Sequence, residues 1–304
     1  MNMQGSGNIE FDIADGAEDR DLTLSATFNN GLITKDGAGT LAITGTHNGS
    51  YAIDINAGTF EVGDSARLAA GTFTAAITND GVFKHSSNQT QTLSGNISGT
   101  GALWKSAGVA LTLSGNNTYS GVTTVDAALI AGSTTGLSSN SAVTVSASGN
   151  LILNANSSTI GSLAGAGTVK NENTATATAA TLTTGGDNST TTFSGSLIDG
   201  PVGSGALSLV KDGTGTMTLS GANTYTGATT VTDGTLIING DHSGATGEIS
   251  VSGTGILGGS GTLASMTVAL GGAKSPGNSP GTQTIADLTW GDGGSYIWEV
   301  NDSN

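Results

Sequence analysis

The chain has 304 residues, with 50 glycines, three prolines, no cysteine and a formal net charge of −15 from 8 basic and 23 acidic side chains. Such an acidic surface repels nucleic-acid phosphates and anionic membranes, so the charge argues against nucleic-acid binding as a function. Without cysteine there is no disulfide framework, thiolate metal site or cysteine nucleophile. The glycines keep no three-residue period, which excludes collagen, and aliphatic residues recur at alternating positions that a disordered chain does not need.

Large side chains are rare, with six Phe, four Tyr and three Trp, so we expect a narrow core of small aliphatic residues. The start, MNMQGSGNIEF, has neither the basic nor the apolar region of a signal peptide. No stretch approaches the roughly 20 apolar residues of a membrane span. The last residues, WEVNDSN, stop just after a strand-like YIWEV, so we expect a fragment of a longer chain.

Residues 1–31 are predicted to contain two strands, IEFDI and LTLSATF, with an acidic run from Asp15 to Asp21 between them. Arg20 interrupts this run. The spacing of the carboxylates does not match a calcium-binding loop. We therefore interpret the run as a solvated turn.

A repeated unit follows in three copies, at residues 35–63, 105–132 and 211–240. The best-preserved copy reads KDGTGTMTLSGANTYTGATTVTDGTLIING. Met217 and Leu219 alternate with polar residues, which is the period of a half-buried strand. The run GANTYTG then predicts a bend, after which the alternation resumes. The first copy aligns without a gap as far as Val62, and the second lacks one residue near position 128.

The segments between the copies are similar in character. Residues 142–169 and 249–273 predict short strands joined by glycine turns, and residues 171–192, rich in Thr and Ala, are either a strand-rich insertion or a loop. Residues 275–300 contain two Pro-Gly pairs, which are typical of tight turns. No helix of normal length is indicated. The sequence thus predicts one continuous all-β solenoid over residues 1–304, with stacked rungs of about 20 residues.

The repeat resembles the autotransporter-associated β-strand repeat, also called the passenger-associated transport repeat, with the pattern K-x-G-x-G-x-L-x-L-S-G-x-N-x-Y-x-G-x-T-x-V. The third copy matches almost throughout, with Met217 for the usual Leu, while the second has Ala107 and Val109 in place of the first glycine pair. The first copy is degenerate, with His47 at the Asn position. The segment SPGNSPGT, residues 275–282, also resembles one that often follows these repeats. The matching residues of the third copy are Lys211, Gly213, Gly215, Met217, Leu219, Ser220, Gly221, Asn223, Tyr225, Gly227, Thr229 and Val231.

This resemblance implies a right-handed, single-stranded parallel β-helix that is displayed on, or released from, the surface of a Gram-negative-type bacterium. In autotransporters the repeat is associated with export of the passenger. The N-terminal signal and the C-terminal membrane barrel of that family are not matched here, so the export route stays open.

An enzyme must be considered, because parallel β-helices include polysaccharide lyases and glycosidases. A glycosidase needs two carboxylates beside one groove, whereas the acidic residues here are scattered. Asp126 and Asp233 lie near the second turn of the repeat and are interpreted as turn residues. Arg20 and Arg67 mark no obvious site. The scattered acidic residues are Asp126, Glu172, Asp187, Asp199, Asp212 and Asp233.

The remaining chemistry-bearing residues are also interpreted as structural. His47, His85 and His242 have no metal-ligand spacing, and the position of His47 in the repeat favours a turn residue. No G-x-S-x-G motif occurs, and the GxG strings are not followed by helices. We therefore predict no catalytic, cofactor-binding or metal-binding residue.

Each repeat opens with a lysine, Lys35, Lys105 or Lys211, which we expect to cover apolar surface with its stem while its amine pairs with a carboxylate or a rung carbonyl. Tyr119 and Tyr225 either form an aromatic patch for sugars or pack at a corner, and packing is favoured.

Three functions remain after these exclusions. The favoured one is a non-enzymatic, extracellular structural or export-promoting segment. The second is an adhesin module that binds a glycan or a cell surface, and the third is a polysaccharide-degrading enzyme. Flanking domains of the same chain are the expected partners.

Overall fold

The computed structural model describes residues 8–25, 31–49, 51–173, 175–275 and 282–297. Over these residues the protein is all-β, and its one helical element is a short 3-10 turn at Ala69–Gly71. The strands pair in parallel and form stacked sheets, so the predicted parallel β-helix is confirmed. No helix in the described part is long and apolar enough to cross a membrane.

The chain divides into two compact units, one of residues 1–144 and 148–151 and the other of residues 145–147 and 152–304. Two strands, Ala142–Val145 and Asn150–Ile152, contain the division itself. The sequence predicted one continuous β-helix over residues 1–304, and because the chain divides into two units, that continuity stays a prediction.

The described residues of the first unit form three parallel sheets and a separate pair of two-residue strands. Sheet 1a contains Ile9–Asp12, Ile33–Asp36, Ile53–Ile55, Ile77–Asn79 and Ile97–Ser98. Sheet 1b contains Leu22–Leu24, Thr40–Ile43, Thr59–Val62, Val82–His85, Ala102–Lys105 and Thr123–Val125. Sheet 1c contains Thr72–Phe73, Gln91–Leu93, Leu111–Leu113 and Ala128–Ala131. The separate pair is Thr46–His47 with Arg67–Leu68.

The second unit repeats this arrangement with its own strands. Sheet 2a contains Ser158–Thr159, Ala180–Thr184, Leu207–Lys211, Thr229–Val231, Ile249–Val251 and Thr262–Val268, and the last of these also pairs with Asp241–His242 and Thr284–Trp290. Sheet 2b contains Ser162–Gly165, Thr191–Phe193, Thr216–Leu219, Thr235–Ile238, Ile256–Gly258, Ala273–Lys274 and Ser295–Tyr296. Sheet 2c contains Thr168–Asn171 and Ser196–Asp199.

Every copy of the repeat pairs with itself in the same way. Each contains four main strands, of which the first pairs with the third and the second with the fourth. In the first copy the two-residue strand Thr46–His47 lies between the second and the third of these. In the third copy Leu209 faces Thr229 in the first pairing, and Met217 faces Leu236 in the second. The repeat therefore spans more than one rung, and its second half covers the open edge of its first half.

The copies do not all occupy the same sheets. In the first copy the first and third strands lie in sheet 1a and the second and fourth in sheet 1b. In the second copy the corresponding strands lie in sheets 1b and 1c. The same sequence pattern thus forms a corner at two different edges of one β-helix.

In-register pairing arranges the inward side chains in columns. In the first unit one such column is Leu41, Phe60, Phe83 and Leu103, all fully buried. The rings of Phe60 and Phe83 stack with centroids 6.2 Å apart. The narrow aliphatic core expected from the composition is present, although these aromatic residues also contribute to it.

The structure describes part of two segments whose form the sequence left open, residues 171–192 and residues 275–282. Between residues 171 and 192 the chain forms the strand Ala180–Thr184 and begins the strand Thr191–Phe193, while residues 175–179 form no strand. Most of the SPGNSPGT segment, residues 276–281, lies outside the described residues.

Candidate functional site

The lysine that opens each repeat is fully buried at a corner of the β-helix. Lys211 Nζ donates hydrogen bonds to the backbone oxygens of Asp212, Gly213 and Asp233, at 2.9, 2.7 and 3.2 Å. Burial lowers the pKa of Lys211, and the charges of Asp233 and Asp212 oppose this. An ammonium group has three donors, and these three carbonyls match that number. Of the two expected partners for the amine, the rung carbonyls are the ones observed.

Lys35 makes the same set of contacts in the first copy, with the backbone oxygens of Asp36, Gly37 and Ala57 at 2.7, 2.8 and 3.2 Å. In both copies the second residue after the lysine is a glycine in the left-handed region, with φ of 74° at Gly37 and 71° at Gly213. This conformation is the one that glycine adopts at little cost.

The second copy departs from this corner because Ala107 replaces the glycine, and the left-handed residue is now Gly108, with φ of 76°. Among the described residues, Lys105 Nζ donates to the backbone oxygen of Ala107. Burial lowers the pKa of Lys105 to about 8. The corner with the degenerate glycine pattern is thus also the one with fewer acceptors for the ammonium.

The asparagine and tyrosine of the repeat are buried in the bend between its second and third main strands. Asn117 Oδ1 accepts from Ile97 N, and Asn223 Oδ1 accepts from Leu197 N, each at 2.8 Å. Tyr119 and Tyr225 are each 1% exposed. The packing interpretation of these tyrosines is correct, and an aromatic sugar-binding patch at these positions is excluded.

His242 completes a buried hydrogen-bond network around Tyr225. Asn223 Nδ2 lies 3.2 Å from His242 Nδ1, and Tyr225 Oη lies 2.9 Å from His242 Nε2. Because an amide nitrogen can only donate, Nδ1 accepts and Nε2 carries the proton. The phenol also contacts Thr229 Oγ1. Burial lowers the pKa of His242 to about 4, so the imidazole is neutral at physiological pH.

The other two histidines are also fully buried. His47 lies in the two-residue strand Thr46–His47, which corrects the expectation of a turn residue, and burial lowers its pKa to about 4. His85 lies beside Lys105 in sheet 1b, and burial together with the positive charge of Lys105 lowers its pKa to about 3.

A charged cleft on the first unit was not expected from the sequence. Its volume is about 690 Å³, and its lining residues are Ala17, Glu18, Asp19, Arg20, Glu61 and Lys84. Arg20 reaches from the acidic run to Glu61 Oε1 at 2.8 Å and to Asp64 Oδ2 at 3.0 Å. These hydrogen bonds raise the pKa of Arg20. Burial favours the neutral form of Glu61, but the hydrogen bonds from Arg20 and Ser86 outweigh it, and the net pKa is lowered.

The charged residues continue along the outward face of sheet 1b. Lys84 Nζ lies 3.6 Å from Glu61 Oε2 and 4.8 Å from the centre of the Trp104 ring. Trp104 Nε1 donates to Asp126 Oδ2 at 2.6 Å, and this tryptophan is 38% exposed. We call this set, with Arg20, the charged ladder. Trp104 is a better candidate for a ligand contact than either repeat tyrosine, because it is accessible.

The acidic residues that are scattered along the sequence accept hydrogen bonds or form ion pairs within the fold. Asp199 Oδ1 accepts from Leu207 N at 2.7 Å, Asp233 Oδ1 accepts from Gly234 N at 2.8 Å, and Asp187 Oδ2 accepts from Ser162 Oγ at 2.6 Å. Three carboxylates, Glu18, Asp19 and Glu61, do line one cleft, but Glu61 is held ionised by its partners. Within the described ranges, no group of three or more His, Asp or Glu side chains could hold a metal ion.

The geometry first defines a class of protein, a parallel β-helix built from a self-pairing corner repeat. The sequence model of the passenger-associated-transport-repeat family matches residues 33–62, 110–128 and 209–238. These stretches overlap all three copies, so the chain carries three passenger-associated transport repeats and the resemblance inferred from the sequence is confirmed.

The chain is also similar to a much longer protein, the "Adhesin BmaC autotransporter" of Brucella suis biovar 1 (strain 1330). The two are 41% identical over 93 residues, which cover 30% of this chain and 2% of the relative. No solved structure matches the chain significantly.

The lysine corner gives a prediction about stability. Lys211→Met should lower the free energy of unfolding by about 3 kcal/mol, because three buried carbonyls lose their donor. Lys105→Met should cost clearly less, because fewer carbonyls depend on that ammonium and its charge is already disfavoured by burial. Urea unfolding followed by circular dichroism measures both. Lys170→Met, at a partly exposed residue, is the control and should change stability by less than about 0.5 kcal/mol. Equal losses for the two buried lysines would contradict this explanation.

The buried histidines give a prediction about pH. A histidine with a folded-state pKa of about 4 and an ordinary value of 6.5 binds its proton first in the unfolded chain. Stability should therefore fall as the pH drops from 6.5 towards 4, by about 3 kcal/mol for His242 at roughly 1.4 kcal/mol per pKa unit. The parent and His242→Gln should be compared by urea unfolding at pH 7.5, 6, 5 and 4. The variant should show the flatter profile, and parallel profiles would rule His242 out as a source of the acid sensitivity.

Proposed function

We propose that this chain is a non-enzymatic, structural and export-promoting β-helix segment of an extracellular, autotransporter-like surface protein of a Gram-negative-type bacterium. The observation that carries the proposal is the self-pairing of the passenger-associated transport repeats. Flanking parts of the same polypeptide are its expected partners. The similarity to an autotransporter adhesin over 93 residues supports the same assignment.

Self-pairing suits a chain that leaves the cell as an extended polypeptide. The two pairings in the third copy join residues 20 positions apart, Leu209 with Thr229, and 19 apart, Met217 with Leu236. Contacts that are local in sequence form quickly because little loop-closure entropy opposes them. A repeat can therefore complete a rung as soon as its 30 or so residues are outside, without waiting for the rest of the chain.

The non-enzymatic part of the proposal is supported by the state of the cleft carboxylates. A glycosidase acid must hold a proton near neutral pH, which requires a raised pKa. The pKa of Glu61 is lowered instead. Its two oxygens are occupied by Arg20 and Ser86, so this carboxylate acts as the anchor of the acidic run.

The export role can be tested by removing single rungs. Deleting residues 220–238 removes one rung within the third repeat, because Leu219 and Ile238 are register partners. Deleting residues 252–268 removes one rung outside the repeats, because Val251 and Val268 are register partners. Both versions should be displayed from a Gram-negative host behind a signal peptide and ahead of a translocation barrel. Surface display, measured by antibody labelling of intact cells, should fall several-fold more for the repeat deletion.

Equal display of the two deletion variants would contradict an export-promoting role. The segment would then have only a structural role, as a spacer. The two deletions remove nearly the same length from the same unit, so a difference between them reports the repeat rather than the loss of a rung. Total protein in the cell envelope, measured in parallel, separates failed export from failed synthesis.

An adhesin module is the second candidate function, and the charged ladder favours it. Exposed tryptophan, carboxylates and cationic groups beside one cleft are suited to the apolar faces and hydroxyl groups of a sugar. The relative matched here is named an adhesin. The ladder lies on the outward face, where side chains do not support the core.

The purified chain should then bind at least one glycan on an array, and Trp104→Ala should abolish that binding. Trp290→Ala is the matched control at a similarly exposed tryptophan in the other unit, and it should leave glycan binding unchanged. Absence of binding by the parent would remove the adhesin candidate, and equal losses for both variants would place the glycan contact elsewhere.

A further inference from the structure

The charged cleft of the first unit contains both signs of charge, but the two signs are not equally available to a ligand. Its lining includes two cationic and three acidic side chains, which are Arg20, Lys84, Glu18, Asp19 and Glu61. A ligand that enters the cleft responds most strongly to the charges that no neighbouring group already neutralises. The pairing of these five groups therefore decides which ligand charge the cleft favours.

Both cationic side chains of the cleft are already engaged. Arg20 Nε donates to Glu61 Oε2 at 3.0 Å, and Arg20 Nη1 donates to Asp64 Oδ2 at 3.0 Å. Lys84 Nζ lies 3.6 Å from Glu61 Oε2, and 20% of the lysine side chain is exposed. A carboxylate on a ligand would compete with Glu61 for these two cations, so the cleft disfavours acidic ligands.

The carboxylates of the cleft divide into one that is engaged and two that are not. The side chain of Glu61 is 1% exposed, so a ligand cannot contact it. Glu18 and Asp19 lie in the exposed bend at residues 17–19. Among the described residues, neither of these two side chains has a hydrogen bond or an ion pair. The charge that remains available to a ligand is therefore negative.

An accessible aromatic ring lies one rung further along the same sheet. Trp104 is the register partner of Lys84 and is 38% exposed. The hydrogen bond from Trp104 Nε1 to Asp126 Oδ2 fixes the ring, and Lys84 Nζ lies 4.8 Å from the ring centre. The face of an indole attracts cations as well as apolar surfaces. The first unit thus presents an aromatic surface beside two unpaired carboxylates.

We propose that the cleft and the charged ladder bind an amine-bearing saccharide, such as an oligomer of glucosamine. A protonated sugar amine pairs with Glu18 and Asp19, and a neighbouring sugar ring packs on Trp104. A neutral sugar gains nothing from these two carboxylates, and an acidic sugar is repelled by them. The inference rests on the second candidate function, the adhesin module, and adds the class of ligand to it.

The test compares three oligosaccharides of equal length with the purified chain by isothermal titration calorimetry. They are an oligomer of glucosamine, its fully N-acetylated form and an oligomer of galacturonic acid, all at a mildly acidic pH at which the sugar amine is protonated. The glucosamine oligomer should bind about tenfold more tightly than the acetylated form, and the acidic oligomer should bind least. Added salt should weaken the binding of the glucosamine oligomer, because it screens exposed charges.

Variants of the cleft separate a specific contact from general attraction between opposite charges. Glu18→Gln combined with Asp19→Asn should weaken the binding of the glucosamine oligomer about fivefold, and Trp104→Ala should abolish it. Glu10→Gln combined with Asp15→Asn is the matched control, because it removes the same charge from exposed residues of the same unit that do not line the cleft. This control should leave the binding unchanged. Equal losses for the two double variants would overturn the proposal.

A cationic peptide is the competing ligand. If oligolysine binds as tightly as the glucosamine oligomer and Trp104→Ala changes neither affinity, the site recognises charge alone and the proposal is overturned. Equal or tighter binding of the acetylated or acidic oligomer overturns the ligand class but leaves the adhesin function standing. Absence of binding to every glycan removes both. The ligand class and the adhesin function can therefore fail separately, and neither result affects the rung-deletion test of export.

Discussion

In-register stacking of parallel rungs is the constraint on which the rest of this structure depends. Every inward residue lies directly above and below the equivalent residues of its neighbours, so a column must be compatible along its whole length. Leu41, Phe60, Phe83 and Leu103 form such a column and are fully buried. The bends are restricted even more tightly. A Cβ at Gly95 would lie 1.8 Å from the backbone oxygen of Ala75, and one at Gly115 would lie 2.1 Å from that of Gly95. The high glycine content therefore serves the close approach of successive bends.

The tight corner also explains why a charged residue lies inside. At a bend the backbone carbonyls leave the strand ladder and need donors, since buried polar groups without partners are costly. A lysine ammonium supplies three donors from one side chain, and its alkyl stem packs within the core. Lys35 and Lys211 each satisfy carbonyls from two successive rungs, as the contact of Lys211 with both Gly213 and Asp233 shows. The repeat lysine therefore joins one rung to the next.

Much of this fold could be predicted from the sequence, because its signals are local. Period-two alternation and glycine bends repeat with the rung, and they indicated the strands, the turns and the corner role of Tyr119 and Tyr225. The placement of the second copy could not be predicted in this way. Its strands occupy sheets 1b and 1c rather than 1a and 1b, which depends on the number of residues between the copies. The charged ladder was missed for a similar reason, since Arg20 and Glu61 are 41 residues apart and meet only because stacking brings them together across the intervening strand Thr40–Ile43.

The burial of the repeat residues limits where this protein can bind a partner. The lysine, asparagine and tyrosine that define the repeat are almost fully enclosed, so none of them can contact another molecule. Their polar atoms form hydrogen bonds within the β-helix, mainly to backbone groups of the same and adjacent rungs. A binding function must therefore come from outward positions or from the loops between strands, where a side chain can change without disturbing a column. Trp104 and Lys84 occupy such positions, and residues 201–203 form an exposed stretch of loop in which Val202 is fully accessible. The residues that fix the stacking are thus different from the exposed residues that are accessible to another molecule.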